Sequence, residues 1–318
     1  SEKSLEELGK YRALYVGAIG DPRAEPGVID AIIVGIRFAF DQYVNLRVVK
    51  LLEGVPGPLR DKGPKEIDFV VVRENVEDFY IRLGGRALRG SSYFELPLVR
   101  KTYRTTFNVG VQTDADEIGF HIGSISRQGS KRVLKYGFEF ARKTGKTRVT
   151  VLDKANVLPE MYLLWRQVAA EVAKDYPGIE LEFMYADAAT MWFIKNPEHF
   201  QVVVAPNLFG DIVTDLAAAI SGGMGMAPGA NINPEGTSMF EPIHGSAPKY
   251  AGQNIVNPIA TIWAGAFMLD HLGEPKAAQR ITGAIAGIVK AGKIKTRDLG
   301  GAAKTTEMGD AIASAAAK

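Results

Sequence analysis

The stretch from Ala205 to Asp215 constrains the fold of this chain most strongly, because two different periodicities meet in it. The apolar run from Phe200 to Ala205 is typical of a buried strand, and Pro206 ends it. The next segment has apolar side chains at helical spacing, namely Ile212, Val213, Leu216 and Ile220. A buried strand therefore feeds a helix here.

Two carboxylates occupy the first turns of this predicted helix. Asp211 and Asp215 are four residues apart, so they lie on one helical face, near the end whose positive dipole tolerates negative charge. Such a pair can hold a hard divalent cation through oxygen and leave positions open for water or a substrate. The alternative is an acidic turn that merely complements the helix dipole.

Composition excludes several classes of function. The chain has 318 residues, which predicts one large or two medium domains. Its 38 basic and 36 acidic residues give a net charge of +2, so no long-range field favours a nucleic-acid partner. Cysteine is absent, which excludes disulfides and a thiolate zinc site.

The sequence also gives no sign of a membrane partner. No apolar run approaches the roughly 20 residues that a bilayer span needs. The N-terminal residues 1–7 lack the apolar region of a signal peptide. We therefore expect a soluble, cytoplasmic protein.

Along the chain, strands alternate with helices, which predicts an α/β sheet. We predict strands at 11–19, 67–72, 147–152 and 200–205, and helices around Ile32 to Ile36 and at 132–143, 161–174, 259–272 and 277–291. Residues 84–112 are read as an antiparallel arm, whose exposed edge needs a partner. Residues 221–236, rich in Gly and Pro, are read as a long loop.

Two motifs in this order carry a family resemblance. They are Asn-Leu-Phe-Gly-Asp-Ile-Val-Thr-Asp at 207–215 and Phe-Glu-Pro-Ile-His-Gly-Ser-Ala-Pro at 240–248. The chain resembles the metal-dependent β-decarboxylating dehydrogenases, the family of isocitrate, 3-isopropylmalate, homoisocitrate, tartrate and D-malate dehydrogenases, from about Tyr15 to about Ala311.

The resemblance implies an isopropylmalate dehydrogenase-like, two-domain α/β fold. Residues 1–42 plus 222–318 would form a nucleotide-binding domain, and residues 43–221 a substrate and dimerisation domain that carries the arm. The active site would lie in the cleft between the two domains.

The resemblance also implies the residues that bind the substrate. Arg37, Arg47 and Arg73 would clamp the carboxylates of a hydroxy diacid, since guanidinium groups bind carboxylates bidentately. Taken singly, an arginine of this kind is more often a surface ion pair than a substrate ligand. The apolar residues Ile33, Val34 and Val157 occupy the positions that hold the third substituent of the substrate.

Three further residues match the catalytic residues of the family. Tyr80 matches the tyrosine that protonates the enolate carbon after decarboxylation. Lys154, which follows a predicted buried strand, would relay the hydroxyl proton, with Asp187 beside it. In the family this lysine and aspartate reach into the other subunit's site, which implies a homodimer with shared sites. Asp187, Asp211 and Asp215 match the metal ligands for Mg²⁺ or Mn²⁺.

Hydride removal needs a nicotinamide cofactor, yet no G-x-G-x-x-G follows a strand, so Rossmann binding is unsupported. A different dinucleotide loop of the family is matched instead. NAD-dependent members have an aspartate where this chain has Lys249, and a lysine there favours the 2′-phosphate of NADP slightly over NAD. K⁺ is a further candidate ion. The expected cofactor residues are His244, Gly245, Ser246, Ala247, Pro248, Lys249, Tyr250, Asn257 and Arg297.

The substrate stays open among the members of the family. The segments Phe40–Arg47 and Leu83–Arg86 look most like tartrate and D-malate dehydrogenases. The three apolar pocket residues instead suit the isopropyl group of 3-isopropylmalate, and isocitrate or homoisocitrate fits least. The Gly-Asp-Gly-Ile-Gly motif with which family members open is missing. A truncated, non-catalytic ligand-binding homologue is therefore the alternative from another class.

Overall fold

The computed structural model describes residues 2–25 and 27–318 and shows a mixed α/β architecture. The strands are β1 (Ala13–Tyr15), β2 (Val44–Lys50), β3 (Asp68–Glu74), β4 (Asp78–Val99), β5 (Arg104–Ser124), β6 (Arg148–Asp153), β7 (Glu180–Tyr185), β8 (Val202–Ala205), β9 (Pro228–Ile232) and β10 (Ser238–Pro242).

The helices alternate with these strands over much of the chain. They are α1 (Glu2–Leu8), α2 (Val28–Ala39), α3 (Arg127–Lys143), α4 (Pro159–Ala173), α5 (Ala186–Lys195), α6 (Asn207–Ile220), α7 (Ile259–His271), α8 (Pro275–Ala291) and α9 (Thr305–Ala316). Within the described residues, no helix is long and apolar enough to cross a membrane.

In the described chain, eight strands form one sheet in the order β1-β10-β9-β2-β3-β8-β6-β7. The pairs β3–β8, β8–β6 and β6–β7 are parallel, as is β1–β10, whereas β10–β9, β9–β2 and β2–β3 are antiparallel. Because β2 pairs with β9, the sheet continues across both expected domain boundaries. The division at 42 and 222 stays a prediction.

The strand β8 shows how the sheet is covered. All four of its residues are buried, and they alternate between two apolar clusters, with Val202 and Val204 in one and Val203 and Ala205 in the other. The first cluster includes Phe138 of α3 and Trp165 of α4, and the second includes residues of α5 to α9. Apolar packing on both faces explains why β8 has a continuous apolar sequence.

The prediction of a long loop at 221–236 is wrong. Residues 228–232 form β9, which is fully buried and hydrogen-bonded between β10 and β2. Pro228 is the first residue of the strand, where a missing N–H is tolerated. At Gly229 a Cβ atom would lie 2.9 Å from Cγ2 of Ile243, so a crowded strand requires glycine here.

Other elements differ from the sequence predictions in extent. The arm is confirmed as an antiparallel hairpin, but β4 and β5 run from 78 to 124, well beyond the predicted 84–112. The first predicted strand shrinks to Ala13–Tyr15. Strands β2, β7 and β10 were not predicted. The strands β2 and β10 also pair with β9 and β1, which are distant in the chain, and a local pattern does not report such pairing.

Candidate active site

The strand order brings distant polar residues to one end of the sheet. Arg73, near the end of β3, is in register with Ala205 of β8 and with Asn45 of β2. Asn207, two residues after Ala205, begins α6. The parallel pair β3–β8 therefore places an arginine beside the first turn of α6. This explains why residues more than a hundred positions apart meet.

Arg73 is held rigidly at this junction. It is only 1% exposed, and its Nε and Nη2 donate to Oδ1 of Asn207 at 3.0 and 2.7 Å. Its Nη1 donates to Oδ1 of Asp211. A Cβ atom at Gly210 would lie 2.6 Å from Cγ of Arg73, so glycine is needed for this close approach. The motif at 207–215 thus fixes the orientation of one guanidinium group.

Tyr80 completes the contacts of Asp211. Its hydroxyl donates to Oδ2 of Asp211 at 2.5 Å, and its ring lies 4.9 Å from Cζ of Arg73. Burial raises the pKa of Tyr80, and the hydrogen bond to Asp211 raises the pKa further. The phenol is protonated at neutral pH, as an unperturbed tyrosine also is, so it carries a proton that it can donate.

The other two predicted arginines converge on the same place. Burial lowers the pKa of Arg47 to about 10, and the neighbouring charges of Arg73 and Arg37 add to this shift. Arg37 donates from Nη2 to Oε1 of Glu241 at 3.3 Å, while its buried Nε has no hydrogen-bond partner. The charges of Arg37 and Arg73 thus act on Arg47, and three guanidinium groups near one another suit an anion with more than one carboxylate.

The two carboxylates of α6 fit a hard cation. The pKa of Asp215 is raised by burial and by the negative charge of Asp211, whereas Arg47 and Arg73 oppose the shift. A cation between the carboxylates would relieve this repulsion, and carboxylate oxygens are suitable donors for Mg²⁺ or Mn²⁺. Among the residues that the structure describes, however, no three His, Asp or Glu side chains are grouped to hold a metal.

The third predicted ligand lies in another place. Asp187 is in the first turn of α5, its side chain is 68% exposed, and its Oδ1 accepts from Nζ of Lys154 at 2.6 Å. This hydrogen bond lowers the pKa of Asp187. The chain thus carries two separate groups, Lys154–Asp187 and the cluster around Asp211. That the two groups act in one site stays a prediction.

A cavity of about 630 Å³ gathers most of the predicted cofactor residues. Seven of the nine line it, whereas Pro248 and Lys249 do not. The lining members are His244, Gly245, Ser246, Ala247, Tyr250, Asn257 and Arg297.

His244 shows that this cavity fits a ligand. Its Nδ1 lies 2.9 Å from the carbonyl oxygen of Gly245, while its Nε2 is buried without a partner. A neutral histidine that donates from Nδ1 offers Nε2 as an acceptor to a ligand N–H or O–H. Ala247 has a φ of 47°, a left-handed conformation that non-glycine residues adopt chiefly at functional turns. Lys249 lies over Tyr250, with Nζ 4.9 Å from the ring centroid.

The three predicted pocket residues do not form a closed apolar pocket in one chain. Ile33 is half-buried on α2 and packs against a small apolar cluster that includes Leu14 and Met239. Val34, the next residue, is half-buried as well. Val157 lies in the connection that also carries Lys154 and is 61% exposed. Their contact with a substrate stays a prediction.

Three functional candidates were missed by the sequence analysis. Asn207 orients Arg73, and Glu241 accepts from Arg37 and, at 2.7 Å, from Nδ2 of Asn231. Asp298 lines the cofactor cavity and accepts from Nδ2 of Asn257 at 2.9 Å. Asn207 and Glu241 stand inside the two family motifs, so their buried polar side chains within apolar segments were the available signal. Asp298 gave none.

Comparison with known proteins identifies the family of the chain. A family model described as isocitrate/isopropylmalate dehydrogenase matches residues 1–312. The chain is 40% identical over 311 residues to the 3-isopropylmalate dehydrogenase of Thermobifida fusca, covering 97% of this chain and 80% of that protein. It is 40% identical over 320 residues to a probable tartrate dehydrogenase/decarboxylase of Agrobacterium vitis, covering 98% and 82%.

A third relative and a solved structure give the same result. The D-malate dehydrogenase [decarboxylating] of Escherichia coli is 41% identical over 316 residues, covering 96% of this chain and 81% of that protein. The crystal structure of isocitrate dehydrogenase from Methylococcus capsulatus matches with a TM-score of 0.83 and 33% identity, covering 100% of this chain and 85% of that one. The chain therefore belongs to the isocitrate/isopropylmalate dehydrogenase family of decarboxylating oxidoreductases.

Proposed function

We propose that this protein oxidises and decarboxylates a (2R)-2-hydroxy diacid of the malate class, D-malate or tartrate, with NAD(P) and a divalent metal. Members of the family use NAD(P) and a divalent metal and act on small hydroxy acids. The observation that carries the proposal is the convergence of Arg37, Arg47 and Arg73 beside Asp211 and Tyr80. This arrangement matches a multiply charged small acid next to a metal.

The residues for the two bound groups follow from their chemistry. Asp211 and Asp215 would hold the metal together with Asp187 of a second copy, and the cavity around His244 would hold the cofactor. When bound, the metal supplies a Lewis acid beside the substrate hydroxyl and the cofactor supplies a hydride acceptor.

The protein's own side chains would move the protons. Lys154, oriented by its contact with Asp187, would take the hydroxyl proton as the carbon loses hydride. After carbon dioxide leaves, Tyr80 would return a proton to the carbon that bore the lost carboxylate. Burial and the hydrogen bond to Asp211 raise the pKa of Tyr80, so the phenol is protonated before this step.

A homodimer with shared sites is part of the proposal. The arm is a two-stranded sheet separate from the main sheet, and such long hairpins are marginally stable without packing. Exposed apolar side chains lie on the arm and on α5 and α6, the helices that carry Asp187 and Asp211. The largest of them are Leu88, Tyr93, Met191, Ile194 and Ile212. Pairing of two copies over this surface would bury these side chains and supply the lysine in trans.

The choice of a small diacid rests on the apolar residues. An isopropyl group that entered a closed apolar pocket would gain on the order of 2 kcal/mol. Ile33 packs against Leu14 and Met239 and Val157 is exposed, which supports D-malate or tartrate over 3-isopropylmalate. Because a second copy could cover Val157, 3-isopropylmalate is the second candidate.

The choice between NADP and NAD rests on the charges around the cavity. Arg297 lines the cavity and Lys249 lies beside Tyr250 at its edge, and two cations there favour the extra phosphate of NADP. Asp298 also lines the cavity, but its oxygens accept from Asn257 and Thr296. We propose NADP over NAD.

The substitution Lys249→Asp should lower the NADP to NAD ratio of kcat/KM by about tenfold, the equivalent of one charge-assisted hydrogen bond.

One set of kinetic measurements tests the substrate. We would measure kcat/KM for D-malate, tartrate, 3-isopropylmalate and isocitrate, each with NAD and with NADP, at saturating Mn²⁺. A small diacid should give the highest value. A value for 3-isopropylmalate more than about tenfold above both small diacids, roughly 1.4 kcal/mol of transition-state discrimination, would overturn this choice. Binding of Mn²⁺ without cofactor reduction by any of the four would indicate a non-catalytic homologue.

A further inference from the structure

A second cavity, of about 420 Å³, lies between α3 and the turn that joins β9 to β10. It shares no lining residue with the cofactor cavity, and none of the predicted site residues lines it. Its volume falls within the range of small-molecule sites, roughly 300–1,000 Å³. The established chemistry of the family leaves this cavity without a role.

Three aromatic rings form much of its wall. They belong to Tyr43, which directly precedes β2, and to Tyr136 and Phe140 of α3. Tyr136 and Phe140 are four residues apart, so their rings lie on one face of the helix. All three are half-buried rather than part of the closed core. The guanidinium of Arg132 lies over Tyr43, with Cζ 4.2 Å from the ring centroid, so Tyr136 and Phe140 are the rings on which a planar ligand would stack.

Cations border the aromatic wall. Lys135 and Lys143 are eight residues apart on α3, so they stand about 12 Å apart along the helix axis. Neither lysine has an ion-pair partner among the described residues. An exposed lysine alone is ordinarily a solvated charge, but here two of them flank one aromatic cavity.

The remaining charges of the wall are largely compensated. Arg132 donates from Nη1 and Nη2 to Asp41 at 2.6 and 2.8 Å, while its buried Nε has no partner. Glu139 accepts from Arg142 and from the hydroxyl of Tyr176. Lys143 also attracts Glu139, although the two form no ion pair. The wall carries three cations, Arg132, Lys135 and Lys143, against two carboxylates, Glu139 and Glu235. The uncompensated charge of the cavity is therefore positive.

We propose that this cavity binds a planar aromatic anion, with its ring against Tyr136 and Phe140 and its charged group on Lys135 or Lys143. The anionic group is a carboxylate or a phosphate, both of which a lysine ammonium binds through charge-assisted hydrogen bonds. A ligand in this place would bridge α3 and the β9–β10 turn. This inference goes beyond the proposed reaction and does not depend on it.

Isothermal titration of the 318-residue chain with phenyl phosphate and with benzoate tests the proposal directly. Phenol and inorganic phosphate, which each carry half of the recognised chemistry, serve as ligand controls. We expect binding with a Kd of roughly 1 mM or below for phenyl phosphate, benzoate or both, and at least about tenfold weaker binding of the two controls. The tighter of the two anions identifies the preferred charged group.

Variants locate the binding to this cavity. The double substitution Lys135→Glu/Lys143→Glu changes two exposed side chains. It should raise the Kd of the anion that binds more tightly by at least about tenfold. Lys131→Glu, a charge reversal at an exposed position of α3 outside the cavity, should leave the affinity unchanged. The proposal would be overturned if neither anion bound, or if phenol bound as tightly as the anions. It would also be overturned if the double variant kept the wild-type affinity, or if Lys131→Glu lost as much affinity as the double variant.

Discussion

The cluster around Arg73 and the pair Lys154–Asp187 are built in opposite ways. Arg73 is 1% exposed and held by Asn207, Asp211 and the ring of Tyr80, whereas the side chain of Asp187 is 68% exposed and is bonded to Lys154. The polar contacts of Arg73 are all made within the chain, whereas the side chain of Asp187 faces solvent. Under the proposed shared site, each chain would supply both regions, and its exposed Lys154–Asp187 pair would act in the site of a second copy.

The largest loss of activity is expected from substitution of Asp211, because both Arg73 and Tyr80 donate hydrogen bonds to it. Asp211→Asn should lower kcat by about 10³-fold, since it weakens metal binding and removes the charge facing Arg73 and Tyr80. Reduced-cofactor absorbance at saturating Mn²⁺ measures the loss. Asp68→Asn, which changes an exposed carboxylate paired with Lys50, should have no effect. Full turnover after treatment with a chelator would contradict a role for Asp211 in metal binding.

The comparison also predicts which region stabilises the fold. Asn207→Ala should lower the free energy of unfolding by about 2 kcal/mol, because it removes the side-chain acceptor of Nε and Nη2 of the buried Arg73. Arg73 then keeps only Asp211 and the backbone carbonyl of residue 207 as acceptors. Asn207→Asp keeps the acceptor oxygens and should recover most of that loss. Asp187→Asn should leave urea unfolding unchanged. Equal destabilisation by Asn207→Ala and Asp187→Asn would mean that the two regions do not differ as described.

The buried region should also give stability a pH dependence. Glu74, 1% exposed, accepts from the backbone N–H groups of Val76 and Glu77, and burial followed by the charge of Glu77 raises its pKa to about 8. The folded state thus binds a proton that the unfolded state has lost above its ordinary pKa. This stabilisation is complete below about pH 4.5 and is lost as pH rises toward 8.

The free energy of unfolding should therefore fall by on the order of 2 kcal/mol between pH 5 and pH 8. Chemical denaturation at a series of pH values measures the slope, and Glu74→Gln should flatten it. Asp187 gives no such slope between pH 5 and pH 8, because the hydrogen bond from Lys154 lowers its pKa. A slope unaffected by Glu74→Gln would place the titrating group elsewhere.

Local pattern predicted part of the molecule well. The junction of β8 and α6, the helices α3, α4, α7 and α8, and the arm all follow from periodicity and were confirmed in type. The strand β9 was predicted to be a loop because Gly and Pro are typical of loops. Here Gly229 is needed because Ile243 and Arg47 pack closely against the strand, and the local sequence does not show this crowding. Glycine content reports backbone freedom but not the crowding that makes glycine necessary.

The candidate site was predictable where a motif carried it. The contact of Asp211 with Arg73 and the gathering of His244, Asn257 and Arg297 in one cavity agree with residues chosen from the resemblance. Asn207, Glu241 and Asp298 were not chosen, because their roles come from partners that only the register of the sheet brings near. The packing of Ile33 toward Leu14 likewise depends on where β1 lies, which the sequence does not specify.

The central claim, a site shared between two copies, is tested most directly by hybrid dimers. Lys154→Ala and Tyr80→Phe chains, each inactive alone, would be co-purified through two different tags, so that every dimer contains one of each. One of its two sites is then intact, and activity should return to about half of the wild-type value. A Lys154→Ala chain paired with an Asp187→Ala chain should stay inactive, because neither site receives both residues from one partner. Failure of the first hybrid to recover activity would contradict the shared site.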